Sequence, residues 1–294
     1  MKFPAMAAAA ATCLALAGPA AAQQQQPTHS VTKVEGTDNV YIFRYQGHQA
    51  MFVVTKDGVI ATDPISYGRP QAAKTYIEEI QKITKAPIKY LIYSHQHYDH
   101  IAGGKPFKDA GATVIAHRRA KERLAQHKFP DAVIPDQVVD GKRTIKLGGT
   151  TLDLIYAGRN HSDSSIVMHL PKEKILFAVD FIGFAAPSLR GMADAYPVEW
   201  EESVKKVLAL PFEKFIAGHP GPGGKQVGTR ADVEMSLKYL TDLSAATKQA
   251  ALDGKCFDAA EKEVRLPQFA NFAGYEQGIV PGVARYCGYW GRAF

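Results

Sequence analysis

Ile88-Lys89-Tyr90-Leu91-Ile92-Tyr93-Ser94-His95-Gln96-His97-Tyr98-Asp99-His100 joins an apolar run to a dense group of cation-binding side chains. Ile88 to Tyr93 has the β-branched and aromatic content of a buried strand. His95 and His97 stand two residues apart, so in extended backbone they project to the same side. Asp99 and His100 follow after a turn, ahead of Gly103-Gly104. A lone histidine is ordinarily a surface or satisfied core residue. Packing does not explain three imidazoles and a carboxylate within six residues, directly after a buried strand. Such a set binds metal, and imidazole with carboxylate and no thiolate suits Zn(II), with Fe or Mn as further choices.

Upstream, Val40 to Tyr45 alternates like a strand. Ala50 to Val54 and Val59 to Thr62 flank Lys56-Asp57-Gly58, a hairpin signal. Pro70 to Ile83 has apolar residues on one helical face with proline at its start. Downstream, Thr113 to Ala116 is a short strand and Arg118 to His127 a helix. Hairpins are expected for Thr144–Leu147 with Thr151–Tyr156, across Gly148-Gly149, and for Ser165–Leu170 with Lys174–Val179. Glu201 to Leu210 predicts a helix, Lys214 to Ala217 a strand, and Arg230 to Ala250 a long helix. Hairpin-rich strands in two sets, with helices between them, imply two packed sheets with helices outside. After Ala251 the periodicity weakens into an aromatic-rich tail containing Phe257, Phe269, Phe272, Tyr275, Tyr286, Tyr289 and Trp290. Packing is the expected role of those rings, and lining a cleft the alternative.

Three more candidate ligands stand at strand ends. His161 follows Thr151–Tyr156 through Gly158. Asp180 closes the apolar run Ile175 to Val179, where a buried carboxylate needs a partner such as a cation. His219 ends Phe215-Ile216-Ala217-Gly218. Singly each is ascribed to surface polarity or a helix cap; jointly they complete a seven-residue set with His95, His97, Asp99 and His100.

The run His95-x-His97-x-Asp99-His100, with His161, Asp180 and His219 at strand ends, resembles the metallo-β-lactamase superfamily. The resemblance extends from the hairpin near Val40 to the helix after His219. It implies an α+β fold, a four-layer αββα sandwich with its site at one edge. It implies that His95, His97 and His161 hold one metal, that Asp99, His100 and His219 hold the other, and that Asp180 bridges them. An Asp at position 180 is similar to glyoxalase II and lactonases, whereas most β-lactamases of the superfamily have Cys or Ser there. The Cys-bearing subclass also has Lys three residues on, where this chain has Gly183. The segment Gly158 to Ser164 lacks the His-Thr-Pro-Gly-His pattern of glyoxalase II.

The expected function is that of a dinuclear hydrolase. Two Zn(II) ions about 3.5 Å apart would share a hydroxide that attacks the carbonyl of an ester, lactone, thioester or amide. Asp99 and Asp180 are the expected catalytic carboxylates. Tyr67 and Tyr98 are possible oxyanion donors outside that set, and Asp63, before Pro64, either supports a ligand from behind or simply makes a turn. The alternatives are a true metallo-β-lactamase and a mononuclear iron sulfur dioxygenase. A nuclease would need an added nucleic-acid-binding arm, and a non-catalytic binder would not need seven filled ligand positions.

The rest of the chain frames this expectation. Its 294 residues are 46% hydrophobic and 22% charged, as in ordinary globular proteins. The net charge of +6 is spread without Lys/Arg blocks, so a small-molecule substrate is expected and nucleic acid is not. Lys2, the Ala/Leu-rich run Ala7–Ala17 and Ala20-Ala21-Ala22 form a signal peptide over residues 1–22, leaving 23–294 as one periplasmic or secreted domain with no integral membrane segment. Export would place the chain in an oxidising compartment, where Cys256 and Cys287 are a disulfide candidate pair.

Overall fold

The computed structural model describes residues 27–187, 192 and 194–292, and the signal-peptide expectation for 1–22 lies outside them. The strands are β1 (His29–Lys33), β2 (Val40–Tyr45), β3 (His48–Thr55), β4 (Gly58–Thr62), β5 (Ile88–Ile92), β6 (Thr113–His117), β7 (Gln137–Val139), β8 (Lys142–Leu147), β9 (Thr150–Tyr156), β10 (Ile166–Leu170), β11 (Ile175–Ala178), β12 (Lys214–Ala217) and β13 (Val227–Thr229). The helices are α1 (Ala72–Ile83), α2 (Tyr98–Ile101), α3 (Gly104–Asp109), α4 (Arg118–His127), α5 (Pro197–Leu208), α6 (Arg230–Leu252), α7 (Asp258–Glu263) and α8 (Tyr275–Trp290).

One sheet runs β1-β2-β3-β4-β5-β6-β7 and the other β13-β12-β11-β10-β9-β8. In the first, β1 to β4 are antiparallel neighbours and β4 to β7 run parallel. In the second, β8 to β11 are antiparallel, β11 and β12 parallel, and β13 antiparallel to β12.

Alternation along the strands builds the layers, because successive side chains take opposite faces. On β3, Met51 and Val53 point between the sheets, where they meet Leu154, Met168 and Phe177. Ala50 and Phe52 point outward onto Ala73, Tyr76 and Ile80 of α1, Phe107 of α3 and Leu124 of α4. On β11 and β12, Phe177 and Ile216 face between the sheets, while Leu176 and Phe215 face Val204 of α5, Leu243 of α6 and Val283 of α8. The result is the expected αββα sandwich, apolar on both faces of each sheet.

The helix ends have ordinary causes. Helix α6 starts in a capping box, Thr229 with Asp232, that satisfies backbone N–H groups at both positions. Helix α1 places Ala72, Ala73, Tyr76 and Ile80 on its buried side. The tail after Ala251 contains α7 and α8, and a disulfide ties Cys256 to Cys287 with Cα atoms 5.5 Å apart. Phe269, Phe272, Tyr275 and Tyr286 pack against α6 as the composition suggests, whereas Phe257 and Tyr289 are exposed. Among the described residues no helix is long and apolar enough to cross a membrane.

Candidate metal centre

Strand direction brings the predicted ligands to one edge. His95 follows the C-terminal end of β5. Residue 161 lies between β9 and β10, and because β11 is antiparallel to β10, the end of β11 at Asp180 lies beside it. Strand β12 is parallel to β11, so Gly218-His219 arrives at the same edge. Backbone bonds stitch the two sheets there: Ile166 N–H donates to Ser94 O at 2.8 Å, and Gln49 N–H to Gly218 O at 2.8 Å.

All seven predicted residues come together, in two groups of ligand-type side chains. His95, His97, His161 and Asp180 form the first, and His48, Asp99, His100 and His219 form the second. Within each group one ligand atom per residue lies within 4.8 Å of the others. Asp180 links the two groups. Its Oδ2 is 3.0 Å from His100 Nε2 and 3.6 Å from both His95 Nε2 and His161 Nε2. Its Oδ1 is 3.2 Å from His219 Nε2. Asp180 holds a left-handed backbone angle, φ +67°, sparsely populated for residues other than glycine. Such local strain persists where surrounding structure over-determines it.

Hydrogen bonds on the outer ring nitrogens fix which nitrogen faces inward. His219 Nδ1 donates to Gly47 O at 2.7 Å, which turns Nε2 inward toward Asp180. His97 Nε2 meets Asp194 Oδ2 at 2.5 Å, leaving Nδ1 inward, 2.8 Å from His161 Nε2. Ser94 Oγ lies 2.9 Å from His95 Nδ1. The His161 loop is held by Ser164 Oγ, which accepts from Gln96 N–H at 3.1 Å, and by the Arg123–Asp163 ion pair. Gly218 is needed for close approach: a Cβ there would fall 2.5 Å from Val179 Cγ1 and 3.0 Å from Asp180 Oδ1.

His48 and Asp194 were missed by the sequence reading. Nothing in the sequence marks Asp194. His48 had a usable signal, since an antiparallel hairpin returns the end of β4, at Asp63, to the start of β3. Asp63 itself is fully buried, and its Oδ1 accepts from Ser94 N–H at 2.8 Å. It thus braces the turn into the motif, and among the described residues it makes no hydrogen bond to a ring. Tyr98 Oη donates to Asp131 Oδ2 at 3.2 Å, and Tyr67 is exposed, its ring centroid 5.1 Å from that of Tyr98.

Burial raises the Asp63 carboxyl to about 6 and pulls the His48 ring down to about 4. Burial also holds His95 well below the usual imidazole range, with His97 adding to the effect. Burial alone would raise Asp180, but the His100 and His219 rings outweigh it and keep the carboxyl well below its usual range. His100 moves the other way: burial opposes its charge, yet Asp180, Asp99 and Asp63 carry it up to about 9. Its proton sits among carboxylates, where a bound cation would displace it.

The donor set fits a metal on chemical grounds. The buried Nε2 of His95, both ring nitrogens of His100 and Oδ1 of Asp180 have no aligned hydrogen bond among the described residues. Each such group costs about 1–3 kcal/mol when left unpaired, and a cation satisfies several at once.

Fold and site together define an αββα sandwich with a candidate two-part metal centre at one edge. The sequence model of the metallo-beta-lactamase superfamily matches residues 46–219, so the chain belongs to that superfamily of metal-dependent hydrolases. The 2,4-dinitroanisole O-demethylase subunit alpha of Nocardioides sp. strain JS1661 is 24% identical over 211 residues, 69% of this chain but only 61% of that subunit. The metallo-beta-lactamase type 2 of Bacillus cereus is 30% identical over 188 residues, 63% of this chain and 70% of that enzyme. Among solved structures, a metallo-beta-lactamase from Pontibacter korlensis shares the fold with a TM-score of 0.63 at 22% identity, covering 73% of this chain and 99% of that one.

Proposed function

We propose that this protein is an exported dinuclear metal-dependent hydrolase that cleaves a small substrate at a carbonyl: an ester, lactone, thioester or amide. The observation that carries the proposal is the position of Asp180, whose two carboxylate oxygens reach His100 at 3.0 Å and His219 at 3.2 Å on one side and His95 and His161 at 3.6 Å on the other. In this reading His95, His97 and His161 hold one ion, Asp99, His100 and His219 the other, and Asp180 both. Two Zn(II) ions, or Fe or Mn, would supply Lewis acidity toward the carbonyl oxygen and acidify a water between them.

The chain's own residues do the positioning. Asp180 sets the separation of the two groups. Asp99 is held from behind, its backbone carbonyl accepting from Arg69 Nη2 at 2.8 Å, so its side chain is aimed at the site and can orient the attacking oxygen. Gly47 O and Asp194 keep His219 and His97 in the tautomers that present a lone pair inward. Asp194→Ala is therefore expected to lower metal affinity about 10- to 100-fold while leaving the fold intact. Chelator competition measures the first and thermal melting the second; unchanged affinity would remove Asp194 from the site.

The test of the proposal is a panel of lactone, aryl ester, thioester and β-lactam substrates with metal-loaded wild type and His95→Ala. Turnover of a carbonyl substrate that disappears in His95→Ala is expected. Turnover confined to the aryl ether 2,4-dinitroanisole, or oxygen uptake on a persulfide by the iron form, would reassign the reaction. A β-lactamase is the second reading, favoured by the 30% identity to the Bacillus cereus enzyme. Asp180 and Gly183 weigh against it, because neither offers the thiolate or ammonium expected there, and rapid nitrocefin turnover would establish it. Export through residues 1–22 is consistent with the Cys256–Cys287 disulfide, since such bonds persist in oxidising compartments.

A further inference from the structure

The second group contains a histidine that the seven-residue set does not include. Strand β3 is antiparallel to β4, and β4 is parallel to β5. The first residue of β3 is therefore delivered to the same edge as His95, on the side where Asp99 and His219 lie. We propose that His48 Nε2 is a protein ligand of the second metal, giving that site His48, Asp99, His100 and His219 beside the shared Asp180. The inference rests on the dinuclear reading above.

Three observations support it. First, His48 Nε2 lies 3.1 Å from Asp99 Oδ2. That spacing matches the 3.0 Å between His100 Nε2 and Asp180 Oδ2 and the 3.2 Å between His219 Nε2 and Asp180 Oδ1, the contacts of two rings already assigned as ligands. Bonds of about 2.0–2.1 Å to one shared ion place neighbouring ligand atoms at separations of this order. Second, the ring is packed into the cluster, with centroids 4.2 Å from His219 and 5.1 Å from His100, and its side chain is only 14% exposed. Third, the backbone on both sides of His48 is anchored to the His219 loop. Gly47 O accepts from His219 Nδ1 at 2.7 Å, Gln49 N–H donates to Gly218 O at 2.8 Å, and Gln49 Nε2 donates to Ala217 O at 2.8 Å. His48 and His219 are thus fixed as one unit. Nothing among the described residues bonds to His48 Nδ1, so no outer partner holds Nε2 in its protonated form against ligation.

A role confined to positioning Asp99 makes a different prediction, because an asparagine also presents an N–H to a carboxylate and is a poor ligand for a transition metal. Stepwise Co(II) binding to the full-length protein and to His48→Asn, measured by chelator competition, separates the two. Ligation predicts at least a 10-fold loss of affinity for the second ion in His48→Asn, with the first ion changed by less than 3-fold. An unchanged second constant overturns the proposal. The wild type gives an independent readout if the variant folds poorly. With two Co(II) bound, contact-shifted ring N–H resonances from six histidines are expected: His48, His95, His97, His100, His161 and His219. Five, with His48 unshifted, overturn the proposal but leave the dinuclear reading standing. Binding of a single ion to the wild type overturns both.

Discussion

Asp180→Ala is expected to abolish turnover, by a factor on the order of 1000 or more, which corresponds to about 4 kcal/mol of barrier. Bound metal should fall from two ions per chain to one or none. The reason is geometric: among the described residues Asp180 is the carboxylate with ring nitrogens of both groups inside 4 Å, His100 at 3.0 Å, His219 at 3.2 Å, and His95 and His161 at 3.6 Å. The substitution also leaves His100 buried without the nearest carboxylate that sustains its charge. The pull of Asp180 that raises the His100 ring would then be lost, so burial would push that ring down. Breaking a buried charge pair on one side typically costs about 3–5 kcal/mol, so thermal melting must accompany the assay. Asp180→Asn keeps the shape and loses the charge. If metal is lost and the melt is retained in that variant, the bridging role is separated from a folding defect. Full activity in Asp180→Ala would mean that the two groups do not work as one centre.

Removing the Cys256–Cys287 crosslink is expected to lower stability strongly without touching the metal centre. The two cysteines are 31 residues apart in sequence, and they close a loop that carries α7 and joins the end of α6 to α8. Chain-entropy arithmetic for a loop of this length gives about 3 to 4 kcal/mol, lost through the unfolded state. For a chain of this size that is a fall in Tm on the order of 10 °C. The face it secures is substantial, because Tyr275, Ile279, Val283 and Tyr286 of α8 are all buried in the core shared with α5 and α6. The check is a melt of Cys256→Ala/Cys287→Ala beside wild type with and without reductant. Equal melting temperatures would show that α8 docks by packing alone.

The layers and the convergence of the candidate ligands were legible because both follow from simple rules. Buried strands are apolar along their length, and ligands cluster where strands end at a common edge. The run from Ile175 to Val179 shows the first, and His161, Asp180 and His219 each close or follow a strand. What escaped had weaker local signals. Strands β7 and β13 are three residues each, too short for an alternation pattern. Helix α8 contains Gly278, Pro281, Gly282 and Gly288, residues that weaken a helix alone, and it forms here because its apolar side is covered by α6. Asp194 lies far in sequence from His97, and only tertiary structure brings them into contact. His48 stands before the hairpin, where a single histidine is unremarkable until strand direction places it beside Asp99. Asp63 was expected either to back a ligand or to make a turn; its bond to Ser94 N–H shows a brace on the backbone that carries the motif.

The most direct test of the two-ion account is metal content measured against activity during reconstitution. The chelated protein is titrated with Zn(II), Mn(II) or Fe(II), and bound metal per chain is determined by mass spectrometry alongside turnover of a carbonyl substrate. The account predicts that two ions bind per chain and that activity rises with the second. Full activity at one ion per chain, with iron alone effective, would contradict it and point to a mononuclear redox centre on the same fold.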